Sequence, residues 1–82
     1  MIRINVLLFS TIRAIIGQKK LVIELPVDST VLDLKVEIGR QFPISDQAVR
    51  TMLTSVDRVF SNDGEILYDQ AEVAFFPFVS GG

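Results

Sequence analysis

Apolar residues recur at every second position over residues 1–9. Ile2, Ile4, Val6 and Leu8 therefore share one face of a predicted strand. Leu7 and Phe9 break the alternation, which fits a strand covered on both faces at its far end, or the start of a turn. Over residues 10–17 the period changes. Ile12, Ile15 and Ile16 fall together at helical spacing, Ser10 or Thr11 is the candidate cap, and Gly17 the candidate stop. Such a helix has about two turns and needs packing to persist. Residues 20–25 return to period two, with Leu21, Ile23 and Leu25 on one side and Lys20, Val22 and Glu24 on the other. The two strands predict a hairpin whose loop carries the short helix.

The longest helical pattern covers residues 30–42. Val31, Leu34, Ile38 and Phe42 form its stripe, and Leu32 and Val36 are expected to widen it. Thr30 and Asp33 stand at capping-box spacing, with Asp in place of the usual Glu or Gln; Asp28 and Ser29 are alternative caps. Gly39 is expected to let the sheet approach closely, and Pro43 to end the helix. A loop over residues 44–47 and a strand over residues 49–55 should follow, with residues 56–62 continuing that strand or starting another. Asn62-Asp63-Gly64 and Tyr68-Asp69-Gln70 read as turns around an apolar step at Ile66 and Leu67. Residues 72–79 read as the last strand, at a sheet edge or leaving the sheet by Pro77, which lacks an N–H. One main helix with one apolar stripe requires one sheet face to cover it, an α+β arrangement in two layers.

Composition narrows the chemistry. The 82 residues contain no cysteine and no histidine, so a thiol nucleophile, an imidazole base and the common zinc ligands are all missing. Valine and isoleucine supply 19 residues and the mean hydropathy is +0.42, which indicates a folded domain with apolar surface to spare. The net charge of −2 argues against binding a nucleic acid backbone. No apolar run is long enough to span a bilayer, and nothing resembles a signal peptide, so a cytoplasmic location is expected. No Gly-x-Gly-x-x-Gly is present to hold a dinucleotide. Asp57, Asp63, Glu65 and Asp69 lack the spacing of a calcium loop and read as turn and surface residues. Lys19 and Lys20 read as hairpin solvation and Met52 as core filler.

The end of the sequence is its most distinctive part. Phe75, Phe76, Phe78 and Val79 crowd one segment, followed by Ser80, Gly81 and Gly82. Frayed termini tolerate glycine, and the aromatics could be core. A regular strand, however, sends Phe75 and Phe76 to opposite faces, so one of them should be available for binding. A Gly-Gly end has no side chains to obstruct entry into a narrow slot, and it presents a carboxylate that a partner could activate. The expected organisation is one domain over residues 1–79 with a flexible tail over residues 80–82.

The chain resembles the small subunits of molybdopterin synthase, sulfur carriers with the ubiquitin-like β-grasp fold. The resemblance is strongest at "EVAFFPFVSGG", residues 72–82, and continues in "LLFSTIRAIIG", where Phe9, Arg13 and Gly17 match the family's Phe-x-x-x-Arg-x-x-x-Gly segment; "DSTVLDLKVEI" is similar too. It departs at Gln70 and Ala71, where the family has Gly-Asp, at Asp57-Arg58 in place of Asn-Gln, and at Phe78 in place of proline. The resemblance implies a mixed sheet with one main helix packed across it. It implies that Gly82 is adenylated by an activating enzyme that uses ATP and is then converted to a thiocarboxylate, that Gly81 lets the tail thread, and that no cofactor binds the isolated domain. It implies two partners, that activating enzyme and the large synthase subunit, the latter in a complex of two copies each. Phe75, Phe76, Phe78, Val79, Ser80 and Arg13 are the expected partner contacts, with a solvated or structural role for Arg13 as the alternative. A carrier for thiamine or tRNA thiolation, a ubiquitin-like modifier and an interaction domain that is never activated are the competing readings.

Overall fold

In a computed structural model that describes residues 1–78, the alternating segment at the start becomes strand β1 (Ile2–Leu8), with Ile2, Ile4, Val6 and Leu8 all buried. Helix α1 (Ser10–Ile16) follows directly. Phe9 is its N-cap residue and no side chain caps it, so neither Ser10 nor Thr11 has the expected role. Gly17 closes α1 as expected: its φ of +81° is the left-handed conformation that favours glycine, and its N–H donates to the Arg13 carbonyl. Strand β2 (Lys20–Leu25) returns antiparallel to β1 and buries Leu21, Ile23 and Leu25.

Helix α2 (Val31–Gln41) starts from the expected capping box. The Asp33 N–H donates to Thr30 Oγ1 at 3.2 Å, and the Thr30 N–H donates to Asp33 Oδ2 at 2.8 Å, so Asp serves where Glu is usual. Val31, Leu34 and Ile38 are fully buried, whereas Leu32 and Val36 face solvent. The apolar stripe is therefore narrower than the residue types suggested. Gly39 does admit a close neighbour, but not the sheet. A methyl group there would run into the Asp46 carboxylate of the following helix.

Residues 43–50 depart most from expectation. A 3-10 turn (Pro43–Ser45) leads into helix α3 (Asp46–Arg50), and strand β3 (Leu53–Val56) begins only afterwards. Val49, expected in a strand, is a buried helical residue. Strand β4 (Val59–Ser61) follows a two-residue turn in which Asp57 and Arg58 both have positive φ, the backbone of a tight hairpin. Gln70 likewise adopts a positive φ at the turn where the resembling family has glycine. Strand β5 (Glu72–Phe76) ends before Pro77, which lies outside the sheet.

The five strands form one mixed sheet in the order β2-β1-β5-β3-β4. β5 lies in the middle, parallel to β1 and antiparallel to β3. α2 covers the inner face, where Val31, Leu34 and Ile38 join Ile4, Val6, Val73 and Phe75 in one core. This is the ubiquitin-like β-grasp, an α+β fold. No helix among the described residues is long and apolar enough to cross a membrane.

Among the described residues a single cation enters the inner layer. Lys35 of α2 is buried, and its Nζ lies 2.8 Å from Asp63 Oδ1 and donates to the Met52 carbonyl at 3.0 Å. The pair ties α2 to the loop after β4, whose carbonyls at Asp63 and Glu65 accept from the Leu32 and Val31 N–H groups.

Candidate functional site

Pairing register decides where the aromatic residues of the last strand point. Phe75 pairs across β1 with Leu8 and across β3 with Thr54, both buried inner-face residues, and is itself fully buried. It is a core residue, which withdraws it from the expected partner contacts. Phe76 points the other way and is half-buried on the outer face. There its ring stacks on Phe9, with centroids 5.6 Å apart and planes 8° from parallel, while Phe60 meets it edge-on at 6.1 Å.

Phe60 was not among the expected contacts. It reaches this face because the two-residue Asp57-Arg58 turn sets Phe60 opposite Ser55. Asp57 fastens that turn to β5: its N–H donates to the Glu72 carbonyl at 2.8 Å, and its Oδ1 accepts from the Glu72 N–H at 2.9 Å. Reading Asp57-Arg58 as a hairpin turn and counting by twos from it would have placed Phe60 opposite Ser55. Phe9, which the sequence offered only as a family match, is the other addition.

Small residues occupy the centre of the outer face. Ala74 pairs with Leu7 on one side and Ser55 on the other, and both Ala74 and Ser55 are buried beneath their larger neighbours. The result is a shallow groove of about 350 Å³, floored by Ala74 and Ser55, walled by Phe9, Phe76 and Phe60, and edged by Arg58 and Glu72. Phe60 is 70% exposed and Phe78 66% exposed, so the aromatic surface continues past the end of β5. Apolar area of this kind, open to water on one side of a sheet, is what a protein partner would cover.

Arg13 lies at the same end of the sheet. It is exposed on α1 and lines a separate cleft with Ser10, Gly17 and Lys19. Among the described residues no carboxylate lies within ion-pair distance of its guanidinium. The structure thus brings Phe9, Phe60, Phe76, Phe78 and Arg13 to one end of the molecule, the end at which β5 leads on to Pro77. Val79, Ser80, Gly81 and Gly82, and with them the expected boundary of the tail, lie outside the described residues.

Comparison with known proteins gives the family and the fold. A family model described as the ThiS family matches residues 6–82, and so extends through Gly82. A molybdopterin synthase sulfur carrier subunit of Arabidopsis thaliana is 27% identical over 81 residues, covering 99% of this chain and 84% of that protein. The crystal structure of small archaeal modifier protein 1 of H. volcanii superposes with a TM-score of 0.88 at 18% identity, over 96% of this chain and 100% of that one. A chain from the complex of subunits 1 and 2 of the molybdopterin-converting factor of Helicobacter pylori 26695 has a TM-score of 0.68 at 16% identity, over 99% and 100% of the two chains. At these identities the two structural likenesses establish a shared fold.

Proposed function

The chain belongs to the ThiS family, and from that premise we propose that it is a sulfur carrier: the small subunit of a molybdopterin synthase, whose working group is the carboxyl group of Gly82. A carboxylate is a poor electrophile. A partner enzyme first transfers an adenylyl group from ATP to it, and sulfur then displaces AMP to leave a thiocarboxylate. The tail enters the large subunit, where Gly81 and Gly82 offer no side chain to obstruct it, and the sulfur passes to a pterin precursor. The carrier supplies no acid, base or metal to these steps. It supplies a reactive end and a surface that aims it.

The observation that carries this reading is the position of the aromatic groove. It runs along the outer face of β5, the strand that leads to Gly82, so a partner seated on Phe9, Phe60 and Phe76 lies against the strand from which the tail continues. Phe78 and Arg13 extend the same contact, with Val79 and Ser80 next in the chain. The rigid domain contributes most of this area, and little conformational entropy is lost in using it. The molybdopterin pathway is favoured by the curated relative, which is matched over nearly the whole of this chain. The complex of the two Helicobacter pylori subunits supports a large-subunit partner. In our reading the two form a complex of two copies each, in the cytoplasm.

Intact mass analysis tests the proposal. The protein is co-expressed with a candidate adenylating enzyme and a sulfur donor. The expected species has one oxygen replaced by sulfur, localised to the peptide that ends at Gly82, and deleting Gly82 removes it. A chain that never gains sulfur with any adenylating enzyme, yet still captures partners through the groove, would be an interaction domain instead.

A further inference from the structure

The hairpin of β3 and β4 closes with Asp57 and Arg58, at φ values of +48° and +71°. Two-residue turns of this kind favour Asn or Asp first and glycine second. Asp57 fits the first place, and it fastens the turn to β5 through the backbone of Glu72. Arg58 does not fit the second. A left-handed backbone brings Cβ close to the carbonyl oxygen that follows it, and a glycine would be free of that strain. Among the described residues Arg58 is the only cation with a positive φ.

The strained residue stands on the outer-face groove. Arg58 is exposed, and it is the one cation that lines the groove. Arg3, Arg40 and Arg50 each have an acidic partner, in Glu24, Glu37 and Asp46. Arg58 has none among the described residues; even Glu72, which edges the same groove, lies beyond ion-pair distance. Register fixes how far this charge is from the aromatic end. Phe76 is opposite Leu53 and Ala74 opposite Ser55, so Glu72 comes level with the Asp57 turn. Four residues of strand separate Glu72 from Phe76, about 13 Å. The groove thus has an apolar end at Phe9 and Phe76 and a charged end at Arg58 and Glu72.

We infer that Arg58 is a specificity-determining residue of this surface: its guanidinium takes a carboxylate of the large synthase subunit at the hairpin end of the groove. The inference rests on the large-subunit partner proposed above. An apolar partner surface could cover Ala74 and Ser55 in several registers, because apolar contact is non-directional. A carboxylate placed about 13 Å from whatever covers Phe76 admits only one. Arginine suits this task, since its planar fork binds a carboxylate through two parallel hydrogen bonds and a lysine cannot. Cover by the partner excludes water from the pair and strengthens it. A subunit with a lysine or an apolar residue at that place would leave the guanidinium desolvated and without an acceptor, and would be rejected. The tight turn holds the arginine backbone in position before the partner arrives, so less ordering is left to the binding step.

The test titrates the full chain against the large synthase subunit of the same organism by calorimetry, at about 0.05 M and about 0.5 M salt, with a melting curve of each free chain. Arg58→Gly relaxes the turn, so the free chain should melt at the same temperature or a few degrees higher. It should nevertheless bind about tenfold more weakly at low salt. Arg58→Glu should bind about a hundredfold more weakly there, with most of that difference gone at high salt. Arg58→Lys should recover only part of the loss. Phe60→Ala, by contrast, should weaken binding at both salt concentrations. Unchanged affinity in Arg58→Gly and Arg58→Glu, beside a loss in Phe60→Ala, overturns the inference and leaves the groove as the docking surface. A lower melting temperature in Arg58→Gly with a parallel loss of affinity makes the arginine structural and overturns it too. A wild-type chain that does not bind the large subunit overturns the proposed function, and the inference with it.

Discussion

The two faces of the central sheet use the same residue classes for opposite ends. On the inner face Val6, Val73 and Phe75 are sealed beneath α2. On the outer face Leu7, Phe60 and Phe76 surround two small residues and stay partly open to water. Phe75 and Phe76 are neighbours in the chain, one supporting the fold and the other lining the outer-face groove. Aromatic content alone therefore says little about a residue's role here; which element crosses its face decides it.

The largest effect should come from the inner face. Phe75→Ala removes a fully buried ring and should cost about 3–5 kcal/mol in denaturant titrations. Phe76→Ala should cost only about 1 kcal/mol, because its ring already meets water and loses mainly its stacking on Phe9. Equal losses at the two positions would erase the distinction between the faces.

Next in size is the one charge in the inner layer. Asp63→Ala leaves the Lys35 ammonium enclosed with a single carbonyl partner and should cost about 3 kcal/mol. Lys35→Met removes the buried charge itself and leaves Asp63 half-exposed, free to hydrate, so its cost should be nearer about 1 kcal/mol. The reverse order in thermal or chemical unfolding would mean that the pair stabilises the fold through its attraction more than it costs in desolvation.

On the outer face the readout is partner affinity. Phe60→Ala, or Ala74→Phe to fill the groove, should weaken binding of a large synthase subunit by about 2 kcal/mol, roughly thirtyfold. Calorimetry on the variants, with the melting curve of the free domain as control, would check this. Unchanged affinity in both would place the interface elsewhere.

The smallest effect belongs to the solvent side of α2. Hydrogen bonds from Arg40, and then Gln41, hold the Glu37 carboxyl at about 2, against an ordinary 4.5. A lowered folded-state value means that the folded chain binds fewer protons in this range. The contribution is therefore complete above about 4.5 and lost as pH falls towards about 2. Solvent screens this surface pair, so Glu37→Gln should flatten that part of the stability profile without shifting the neutral-pH melting point by more than about a degree.

Much of this fold was legible beforehand. β1, β2 and α2 each carry a clean period, and Thr30, Asp33 and Gly17 mark helix ends by chemistry that acts within a few residues. Residues 43–50 were not legible. Neither the 3-10 turn nor α3 is long enough for a period to emerge. Both are held by packing outside their own turns, with Asp46 against Gly39 of α2 and Val49 in the core. The aromatic groove was half legible: Phe76 was expected on an open face, Phe60 was missed, and Phe75, expected as a partner contact, is core.

What the sequence determined by itself was local: the strand and helix periods, the helix ends and the absence of thiol and imidazole chemistry. Tertiary structure alone decided which face of β5 is the inside. That strand is apolar on both sides, so its alternation is ambiguous, and register with Leu8 and Thr54 resolves it by carrying Phe75 under α2 and Phe76 outward. The physical reason is that a side chain's period depends on its own backbone, whereas its burial depends on what other parts of the chain bring over it.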